Sequence, residues 1–379
     1  MHAHFQRARI PLGYLAGALA AASLGFALLV GTKIAVPYPL RETQLAAARL
    51  MQEAEQVLKK ALLAQGLSIE AELDPNQTGL IGPEWTALTT TLGILEAKRT
   101  TLNPNFAALM VRYFHQAGLQ RGDLVAVGAS GSFPGITIAT LCAAREMGLK
   151  ALTIASFGSS MYGATRPEFT TPKMVRILSD AALIPNSLIA VSPGADEDYG
   201  ENPFFEDSRQ IIADLAAQTG VEFIDFDPPD LVASIARRLE LFDHAAAGEK
   251  IACFVNIGGA SPNSGTSSYT LDFPQGLVVD PPRIPATATR GLVYEYAARG
   301  IPVINLLNIR SLVAKNGLPY DPIPLPSPGE GDVYNSVRYN TLVALATVVL
   351  TLCLLALPVL RRVKKRKRQD RLQCQQKKY

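Results

Sequence analysis

The segment most typical of a functional site is a loop of glycine and serine that follows an apolar run. Residues 125–135 read V-A-V-G-A-S-G-S-F-P-G, so a buried strand is predicted to end at Ala129 and to lead into Ser130, Gly131 and Ser132. Small residues in this position let backbone amides and hydroxyl groups approach a ligand closely. The loop is therefore the first candidate for ligand binding or for nucleophilic chemistry.

The loop does not match the common phosphate-binding loops. Its glycines fall at positions 128, 131 and 135, which fits neither GxGxxG nor GxxxxGK[ST]. The next apolar run ends in Ser156, where a dinucleotide-binding unit would carry an acid for the ribose. Dinucleotide and ATP binding are therefore disfavoured, and no cofactor is predicted.

A serine nucleophile in the loop is an alternative to ligand binding. Residues 128–132, G-A-S-G-S, nearly match the nucleophile elbow GxSxG, but the fifth residue is Ser instead of Gly. A catalytic triad also needs a histidine, and between the apolar ends of the chain only His115 and His244 are present, both in stretches predicted to be helical. Because a neighbouring base activates a serine, Ser130 with Lys98 is retained as a conditional catalytic pair.

No metal site is predicted. The histidines and cysteines show neither HxxxH nor CxxC spacing, which zinc sites commonly use. The acidic run Asp196-Glu197-Asp198 is short, and a calcium site would need several more oxygen ligands at fixed positions. We therefore interpret this run as a solvated loop.

The loops after the other predicted strands carry similar small polar residues. In an open parallel sheet, ligands bind beyond the carboxyl ends of the strands, so these loops are expected to meet at one edge. Arginines lie near several of them in the sequence, and guanidinium groups bind carboxylates in a bidentate manner. An anionic ligand is therefore predicted. The residues assigned to its binding are Ser130, Gly131, Ser132, Ser159, Ser160, Arg166, Asn256, Gly258, Gly259, Asn308 and Arg310.

These loops are positioned by an alternation of strand-like and helical stretches that begins near residue 123. The strand-like runs are 124–129, 151–156, 187–192, 221–226, 251–257, 276–279 and 302–307. The helical stretches are 136–147, 172–182, 205–218, 229–247 and 290–298. This alternation predicts an α/β fold, Rossmann-like in layout, with a mostly parallel sheet wound on both faces.

Residues 33–120 are predicted to form a membrane-proximal helical region before the α/β domain at 121–320. Within it, residues 41–65 have a helical pattern whose apolar stripe is Ala47, Met51, Ala54, Leu58 and Ala61. The pattern lasts only about two heptads, so the stripe is expected to pack against the domain instead of forming a coiled coil. After the domain, residues 321–338 are predicted to be an extended proline-rich linker.

Each end of the chain contains an apolar run without charge. The runs occupy 12–30 and 341–360, and each reaches the ~20 residues that a helix needs to cross a bilayer. Transmembrane helices are therefore predicted at 12–32 and 339–360. Small residues at 20–23 fit a signal-peptide cleavage site, but the first run exceeds the ~7–15 apolar residues of a typical signal peptide, which favours an uncleaved anchor.

Lysine and arginine predict the orientation of the two helices. Arg7 and Arg9 precede the first run, and residues 361–379 carry ten basic residues against one acid, Asp370. The positive-inside rule then predicts that both termini are cytoplasmic and that residues 31–340 lie outside the cytoplasm. The basic tail is expected to contact anionic lipid headgroups, with an acidic cytoplasmic partner as the alternative.

The charge of the predicted outer segment differs from that of the whole chain. The net charge is +3, but without the basic residues of the two ends 24 basic residues stand against 32 acidic ones, about −8. A nucleic-acid-binding domain needs a positive surface, so no nucleic-acid partner is predicted.

Two further patterns concern cysteine and glycine. Cys142 and Cys253 fall in apolar runs and are predicted to be free core thiols instead of a disulfide. Gly13 and Gly17 form a GxxxG in the first apolar run. This spacing allows close helix contact within lipid, either with the second span or with another membrane subunit.

Short stretches across residues 40–330, together with the two flanking spans, resemble the poly-γ-glutamate system protein family. The resembling stretches are G-L-I-G at 79–82, L-E-A-K-R-T at 95–100, N-P-N-F-A-A at 103–108, G-A-S-G-S-F-P at 128–134, G-S-S-M-Y-G-A at 158–164, V-N-I-G-G at 255–259 and L-L-N-I-R at 306–310. The resemblance is specific in this combination. It implies a protein of the bacterial cytoplasmic membrane that works with a poly-γ-glutamate ligase and small membrane subunits to make and export the polymer, and it carries over no catalytic residue.

Two functions are therefore expected ahead of any other. One is an accessory membrane component whose outer domain binds an anionic ligand or braces the synthase-exporter, although a charge of about −8 repels a polyanion at long range. The alternative is an extracytoplasmic hydrolase or transferase that acts on the polymer through Ser130. A sugar- or phosphosugar-binding module rests on fold-level analogy alone and ranks last.

Overall fold

The computed structural model describes residues 10–202 and 204–376. The chain forms two compact units. One, the α/β unit, is Pro39–Tyr334, and the other, the terminal unit, combines Met1–Tyr38 with Asn335–Tyr379.

In chain order the helices are α1 (Leu12–Gly31), α2 (Arg41–Ala64), α3 (Leu95–Thr100), α4 (Asn105–Gln116), α5 (Pro134–Met147), α6 (Thr171–Asp180), α7 (Ser208–Ala217), α8 (Leu231–Ala245), α9 (Ser261–Ser264), α10 (Ser267–Asp272), α11 (Gly291–Ala298), α12 (Ile309–Asn316) and α13 (Thr341–Gln376). The strands are β1 (Ile34–Pro37), β2 (Thr89–Thr91), β3 (Leu124–Ala129), β4 (Lys150–Ser156), β5 (Ser159–Ser160), β6 (Leu188–Ser192), β7 (Glu222–Phe223), β8 (Ile251–Ile257), β9 (Gly276–Val278), β10 (Val303–Leu306) and β11 (Asn335–Arg338).

The terminal unit consists of α1, α13 and a two-stranded antiparallel ribbon of β1 and β11, in which Ile34 lies opposite Arg338. Both helices are long and apolar enough to span a membrane. They pack in opposite directions, because Gly25 of α1 contacts Thr347 of α13 and Tyr14 contacts Arg361. The basic tail continues α13 as helix to Gln376, while Arg7 and Arg9 lie outside the described residues.

The centre of the α/β unit is a seven-stranded sheet in the order β7-β6-β4-β3-β8-β10-β9. Neighbouring strands are parallel except β9, which runs antiparallel to β10. The predicted α/β class and the mostly parallel sheet are confirmed. From β3 the chain moves outward through β4, β6 and β7, and it then returns to place β8 on the other side of β3.

Both faces of this sheet are covered, which explains why its central strands read as continuous apolar runs. Along β3, Val125 and Val127 belong to the core that includes residues of α2, α4 and α5. Leu124 and Ala126 point to the opposite core, which includes residues of α8 and α11. This alternation follows from the two-residue period of strand side chains.

The predicted helix at 41–65 is α2, and its apolar stripe packs on α4 and α5 within the core of the α/β unit. From Pro39 onward, the region predicted as separate and membrane-proximal therefore shares one compact unit with the sheet. The proline-rich segment is also part of this unit up to Tyr334. Asp321 forms an ion pair with Arg99 at 2.5 Å, and the Ser327 carbonyl accepts a hydrogen bond from Asn105 at 3.1 Å.

Cys142 in α5 and Cys253 in β8 are free and buried, which confirms the prediction of core thiols. Burial raises the pKa of both thiols well above the ordinary range. Neither side chain is therefore expected to react as a thiolate at neutral pH.

Candidate functional site

The predicted glycine-serine loop lies between β3 and β8, where the winding direction of the sheet reverses. Ser130 follows β3 directly, and its backbone N–H donates to the Ile257 carbonyl at 3.0 Å. The Ser130 hydroxyl lies so close to Gly258 that a Cβ on that glycine would be 2.0 Å from Oγ. In open α/β sheets, a reversal of this kind creates a crevice in which ligands bind.

A second loop, residues 157–164, packs against the first through backbone contacts. The Gly131 N–H donates to the Gly158 carbonyl at 3.0 Å, and the Ala164 N–H donates to the Gly131 carbonyl at 2.8 Å. A Cβ on Gly163 would lie 2.7 Å from the Gly131 carbonyl oxygen. The glycines are therefore needed because two main chains touch without room for side chains.

This packing brings Ser132 and Ser160 together. The backbone N–H of Ser160 donates to the Ser132 hydroxyl at 3.0 Å. Ser160 also lies in β5, which pairs with β2 so that Thr91 is opposite Ser160. Ser160 is thus held where three segments distant in the sequence meet. They are its own strand β5, strand β2 and the loop that contains Ser132.

Lys98 of α3 reaches into the same cluster. Its Nζ donates to the Ser132 carbonyl at 2.7 Å and contacts the Ser160 hydroxyl oxygen at 2.5 Å. Nζ also lies 4.0 Å from the centre of the Phe133 ring. Ser130 is not a hydrogen-bond partner of Lys98 in the described part of the chain, so the structure pairs the lysine with a different serine from the one considered in the sequence.

The environment of Lys98 contains no carboxylate partner for its amine among the residues that the structure describes. The side chain is 3% exposed, and this burial lowers the pKa of Lys98 to about 7. Removal from water disfavours the ammonium form, and a neutral oxygen or an aromatic ring offsets only part of that cost. A large share of Lys98 is therefore the free amine at neutral pH.

The two serines that contact Lys98 are the more exposed members of the cluster. Ser132 is 9% exposed and Ser160 is 8% exposed, whereas Ser130 is 2% exposed. All three serines are buried, and the two that contact Lys98 are the least deeply buried of them. Chemically, this arrangement places a base directly against a hydroxyl group.

The other residues assigned to the ligand are distributed around the same edge, mainly in structural roles. Ser159 donates from its hydroxyl to the Ser160 carbonyl at 2.8 Å, and Gly259 follows β8 beside Leu307. Asn256 donates to Asn305 at 2.9 Å, and its Oδ1 is buried without a hydrogen-bond partner in the described residues. Asn308 caps α12 by accepting the Ser311 N–H at 3.1 Å.

The predicted basic residues have partners away from the glycine-serine loop. Arg166 contacts the Ser68 and Ile81 carbonyls, and its Nη2 lies 3.9 Å from Glu70. The Arg310 guanidinium lies 4.7 Å from the centre of the Tyr320 ring. In the described residues the cation that bonds to the loop is Lys98, which the sequence analysis named as a possible base.

A second buried cation was missed by the sequence analysis. Arg238 of α8 is 1% exposed and donates to Asp198 at 2.7 Å and to the Ser192 hydroxyl at 2.6 Å. Asp198 also accepts from the Ser192 hydroxyl at 2.9 Å and from the Gly194 N–H at 3.0 Å. The acidic run expected to be a solvated loop therefore contains a buried carboxylate.

The sequence does contain a signal for this ion pair. Arg238 falls on the apolar stripe of α8, between the buried Ile235 and Phe242, at helical spacing. A basic residue on a buried helical face needs a counter-ion, because an unpaired charge is costly to bury.

A third buried charged group lies in α2. Glu55 is buried, and burial followed by the charge of Asp74 raises the pKa of its carboxyl group well above the ordinary value. Its Oε1 has no hydrogen-bond partner in the described residues, and the side chain borders a cavity of about 130 Å³ that Lys59 and Thr78 also line. Across the described residues, no group of three or more His, Cys, Asp or Glu side chains is placed to hold a metal ion.

Comparison of the chain with protein-family models, with curated proteins and with solved structures gives no match.

Proposed function

We propose that this chain is a double-pass protein of the bacterial cytoplasmic membrane that serves poly-γ-glutamate synthesis and export. Its Rossmann-like α/β unit lies outside the cytoplasm, where it binds an anionic ligand or braces the synthase-exporter. Its partners are a poly-γ-glutamate ligase and small membrane subunits. The family resemblance of the quoted stretches supports the pathway, and the terminal unit supports the membrane topology.

The observation that carries the topology is the pairing of β1 with β11. β1 begins three residues after α1 ends, and β11 ends three residues before α13 begins. Ile34 lies opposite Arg338 in this ribbon, so the chain leaves α1 and enters α13 at one place. Two apolar helices that meet in this way cross a bilayer in opposite directions, which supports placing both termini on the same side.

Contacts at the other end of the helix pair agree with this topology. The Arg361 guanidinium donates to the Tyr14 hydroxyl at 2.7 Å. Tyrosine and arginine favour the membrane–water interface, and the basic residues that follow Arg361 favour the cytoplasmic side. The contact therefore supports a cytoplasmic boundary near Tyr14 and Arg361, with the tail available to anionic headgroups.

The GxxxG face supports a partner in the membrane. A Cβ on Gly25 would lie 2.2 Å from Thr347, so this glycine serves the contact with α13. Within the part of the chain that the structure describes, Gly13 and Gly17 have no atom of another segment within 4 Å of such a Cβ. Small residues on an open helix face allow another helix to approach, so we assign this face to a membrane subunit of the same system.

Cysteine labelling tests the topology, because Cys142 and Cys253 are buried and Cys353 is in α13. With Cys353→Ser as background, the exposed Cys374 should react with a membrane-impermeant maleimide only after the cells are permeabilised. A Glu201→Cys variant that also carries Cys374→Ser should react in intact cells. The opposite labelling pattern would rule out the proposed orientation.

Co-purification from detergent tests the partners. The full chain should carry the ligase and the small subunits with it, and Gly17→Leu should reduce their recovery while α1 still packs on α13. Gly25→Leu is the matched change, which we expect to separate α13 from α1. Titration calorimetry of the full chain with γ-glutamate oligomers then separates ligand binding from bracing. A chain that neither binds oligomers nor retains the ligase would refute the assignment.

A further inference from the structure

We propose that Ser160 and Lys98 form a catalytic pair for acyl transfer, in which Ser160 attacks the carbonyl carbon of an ester or amide and Lys98 is the general base. This activity goes beyond the membrane role and does not depend on it. It also differs from a Ser130 nucleophile, because the structure brings the lysine to another hydroxyl.

The positions of Lys98 and Ser160 support this pairing. Nζ of Lys98 is 2.5 Å from Oγ of Ser160, within reach for direct proton transfer. A second hydrogen bond from Nζ to the Ser132 carbonyl and the Phe133 ring fix the amine in this position. When Lys98 is neutral, its remaining lone pair faces the Ser160 hydroxyl, which then donates the hydrogen bond.

The uncharged surroundings of Lys98 also support a role as a base. A lysine that is buried to stabilise a fold is expected to have a carboxylate partner, as a buried charge is costly otherwise. Lys98 contacts a carbonyl, a hydroxyl and a ring instead. Burial lowers the pKa of Lys98 to about 7, which gives the neutral amine that a general base requires.

The backbone holds Ser160 in a fixed position. It pairs with β2 as part of β5, and its N–H donates to the Ser132 hydroxyl at 3.0 Å. Ser160 is 8% exposed, compared with 1% for Ser159, whose hydroxyl donates to the Ser160 carbonyl. A hydroxyl held in a fixed position beside a base is the arrangement that nucleophilic catalysis needs.

The reaction proceeds in two balanced steps. In the first, Oγ of Ser160 bonds to the carbonyl carbon as its proton moves to Nζ of Lys98. The C–N or C–O bond of the substrate then breaks, and Lys98 returns the proton to the leaving amine or alcohol. In the second, water or an acceptor amine attacks the Ser160 ester and gives a proton to Lys98, which passes it to Oγ as the acid or the new amide leaves.

The surroundings of Ser160 indicate an uncharged acyl group. The segment Leu92–Ile94 follows Thr91, which is paired with Ser160 and whose carbonyl accepts the Met161 N–H at 3.0 Å. Leu92 is 74% exposed and Ile94 is 64% exposed. Large apolar side chains grouped at a surface are typical of binding surfaces.

Acidic side chains beside the neighbouring Tyr162 reinforce this choice. Burial raises the pKa of Tyr162, and a hydrogen bond with Glu84 and the charges of Glu84 and Glu96 raise it further. A carboxylate-rich acyl chain that extends past Tyr162 would be repelled by these charges. The substrate class is therefore an ester or amide of an uncharged carboxylic acid, distinct from the glutamate polymer.

Hydrolysis of p-nitrophenyl butyrate and of a butyryl p-nitroanilide by the full chain in detergent tests the proposal. Ser160→Ala and Lys98→Met should each lower kcat/KM by about 100-fold or more. Lys98→Arg should also be inactive, because arginine stays protonated and offers no base, whereas a purely structural lysine would allow activity to persist. Ser187→Ala is the matched control, since Ser187 is buried and bonded to Thr153 at the opposite end of the strands.

Two further readouts separate catalysis from folding. The kcat/KM of the unsubstituted chain should rise with pH through an apparent pKa near 7, which Ser187→Ala should share. Mass spectrometry of acid-quenched reactions should locate a butyryl group on Ser160. Absence of hydrolysis by the unsubstituted chain, an adduct on Ser132 or Ser130, or full activity in Ser160→Ala would each overturn the proposal. The labelling and co-purification results do not bear on it.

Discussion

Lys98 and Arg238 are both buried cations in polar clusters near the carboxyl edge of the sheet, but their surroundings differ. Arg238 is neutralised by Asp198 and bonded to two serine hydroxyls. Lys98 has a carbonyl, a hydroxyl and an aromatic ring around it. Its pKa falls to about 7, whereas arginine stays protonated at any ordinary pH. A counter-ion, more than burial itself, therefore decides whether a buried cation is structural or able to exchange a proton.

The chemical nature of the two side chains reinforces this division. A guanidinium group offers several donors and suits a closed network with a carboxylate, as at Asp198. A lysine amine can lose its proton, and burial makes this loss easier because a protein interior disfavours the charged form. The Arg238 cluster therefore stabilises the loop after β6, and the Lys98 cluster places an amine with a lowered pKa next to Ser160.

Removal of the carboxylate at Arg238 should have the largest effect on stability. Asp198→Ala leaves the guanidinium buried without a counter-ion, which should lower the free energy of unfolding by about 3–5 kcal/mol. Urea unfolding of the full chain in detergent, followed by fluorescence of the single tryptophan Trp85, measures it. Asp196→Ala is the control, since that neighbouring carboxylate is exposed. Equal effects of the two changes would remove the distinction drawn for Arg238.

Lys98 should make the stability of the protein depend on pH. Because the pKa of Lys98 is lowered to about 7 in the folded state, the unfolded chain binds more protons between pH 7 and its own pKa of ~10.4, and stability rises with pH over that window. The unsubstituted chain should therefore gain about 2 kcal/mol relative to Lys98→Met between pH 7 and pH 9. Urea midpoints of both proteins at the two pH values test this difference. A constant difference would show that Lys98 titrates normally.

Glu55 is a buried acid whose Oε1 has no hydrogen-bond partner among the residues that the structure describes. Its pKa is raised by burial and by Asp74, so the folded state binds more protons above the unfolded pKa of ~4.3, and stability falls as pH rises from there. Glu55→Gln should therefore stabilise the protein at neutral pH by about 1 kcal/mol and lose this advantage near pH 4. Thermal midpoints of Glu55→Gln and of the exposed control Glu53→Gln at both pH values test it, and a gain shared by Glu53→Gln would contradict the explanation.

The ring of Phe133 should have the smallest effect. It lies 4.0 Å from Nζ of Lys98 and stabilises the ammonium form, which contributes about 0.5–1 kcal/mol in such pairs. Phe133→Leu should therefore lower the pKa of Lys98 by about half a unit. The stability difference from a Phe133→Leu, Lys98→Met double variant, followed over pH, measures the shift. Phe106→Leu is the control because it removes a buried ring from α4, and an upward shift would exclude a cation–π role.

Most of the architecture of the α/β unit could be predicted because burial imposes a periodicity on the sequence. The central strands and α2 have such patterns, and each predicted strand-like run from 124 to 307 contains a strand. The antiparallel direction of β9 could not be predicted from the sequence, because a strand of three residues has no pattern that distinguishes the two directions. The packing of the proline-rich segment depends on partners such as Arg99, far away in the sequence.

The candidate site was harder to predict than the fold. The glycine-serine loop could be recognised from its position after an apolar strand. Lys98 was named as a possible base for Ser130, but its contact with Ser160 could not be predicted, because it requires separate segments to converge around a six-residue helix. Neither Ser160 nor Lys98 has a sequence pattern that points to the other. Arg238 was predictable in principle from its place on an apolar helical stripe.

The ribbon of β1 and β11 has a consequence for how the chain is divided. Pro37 and Asn335 are paired residues, and Cα atoms paired in antiparallel strands are about 4.5–5.5 Å apart. Along the chain, Pro39–Tyr334 is therefore an insertion between two helices that the hydrogen bonds of the ribbon already join. Replacing the inserted segment by a two-residue turn would leave a continuous helix–ribbon–helix peptide. The terminal unit and the α/β unit are therefore modules that substitution or exchange can alter separately.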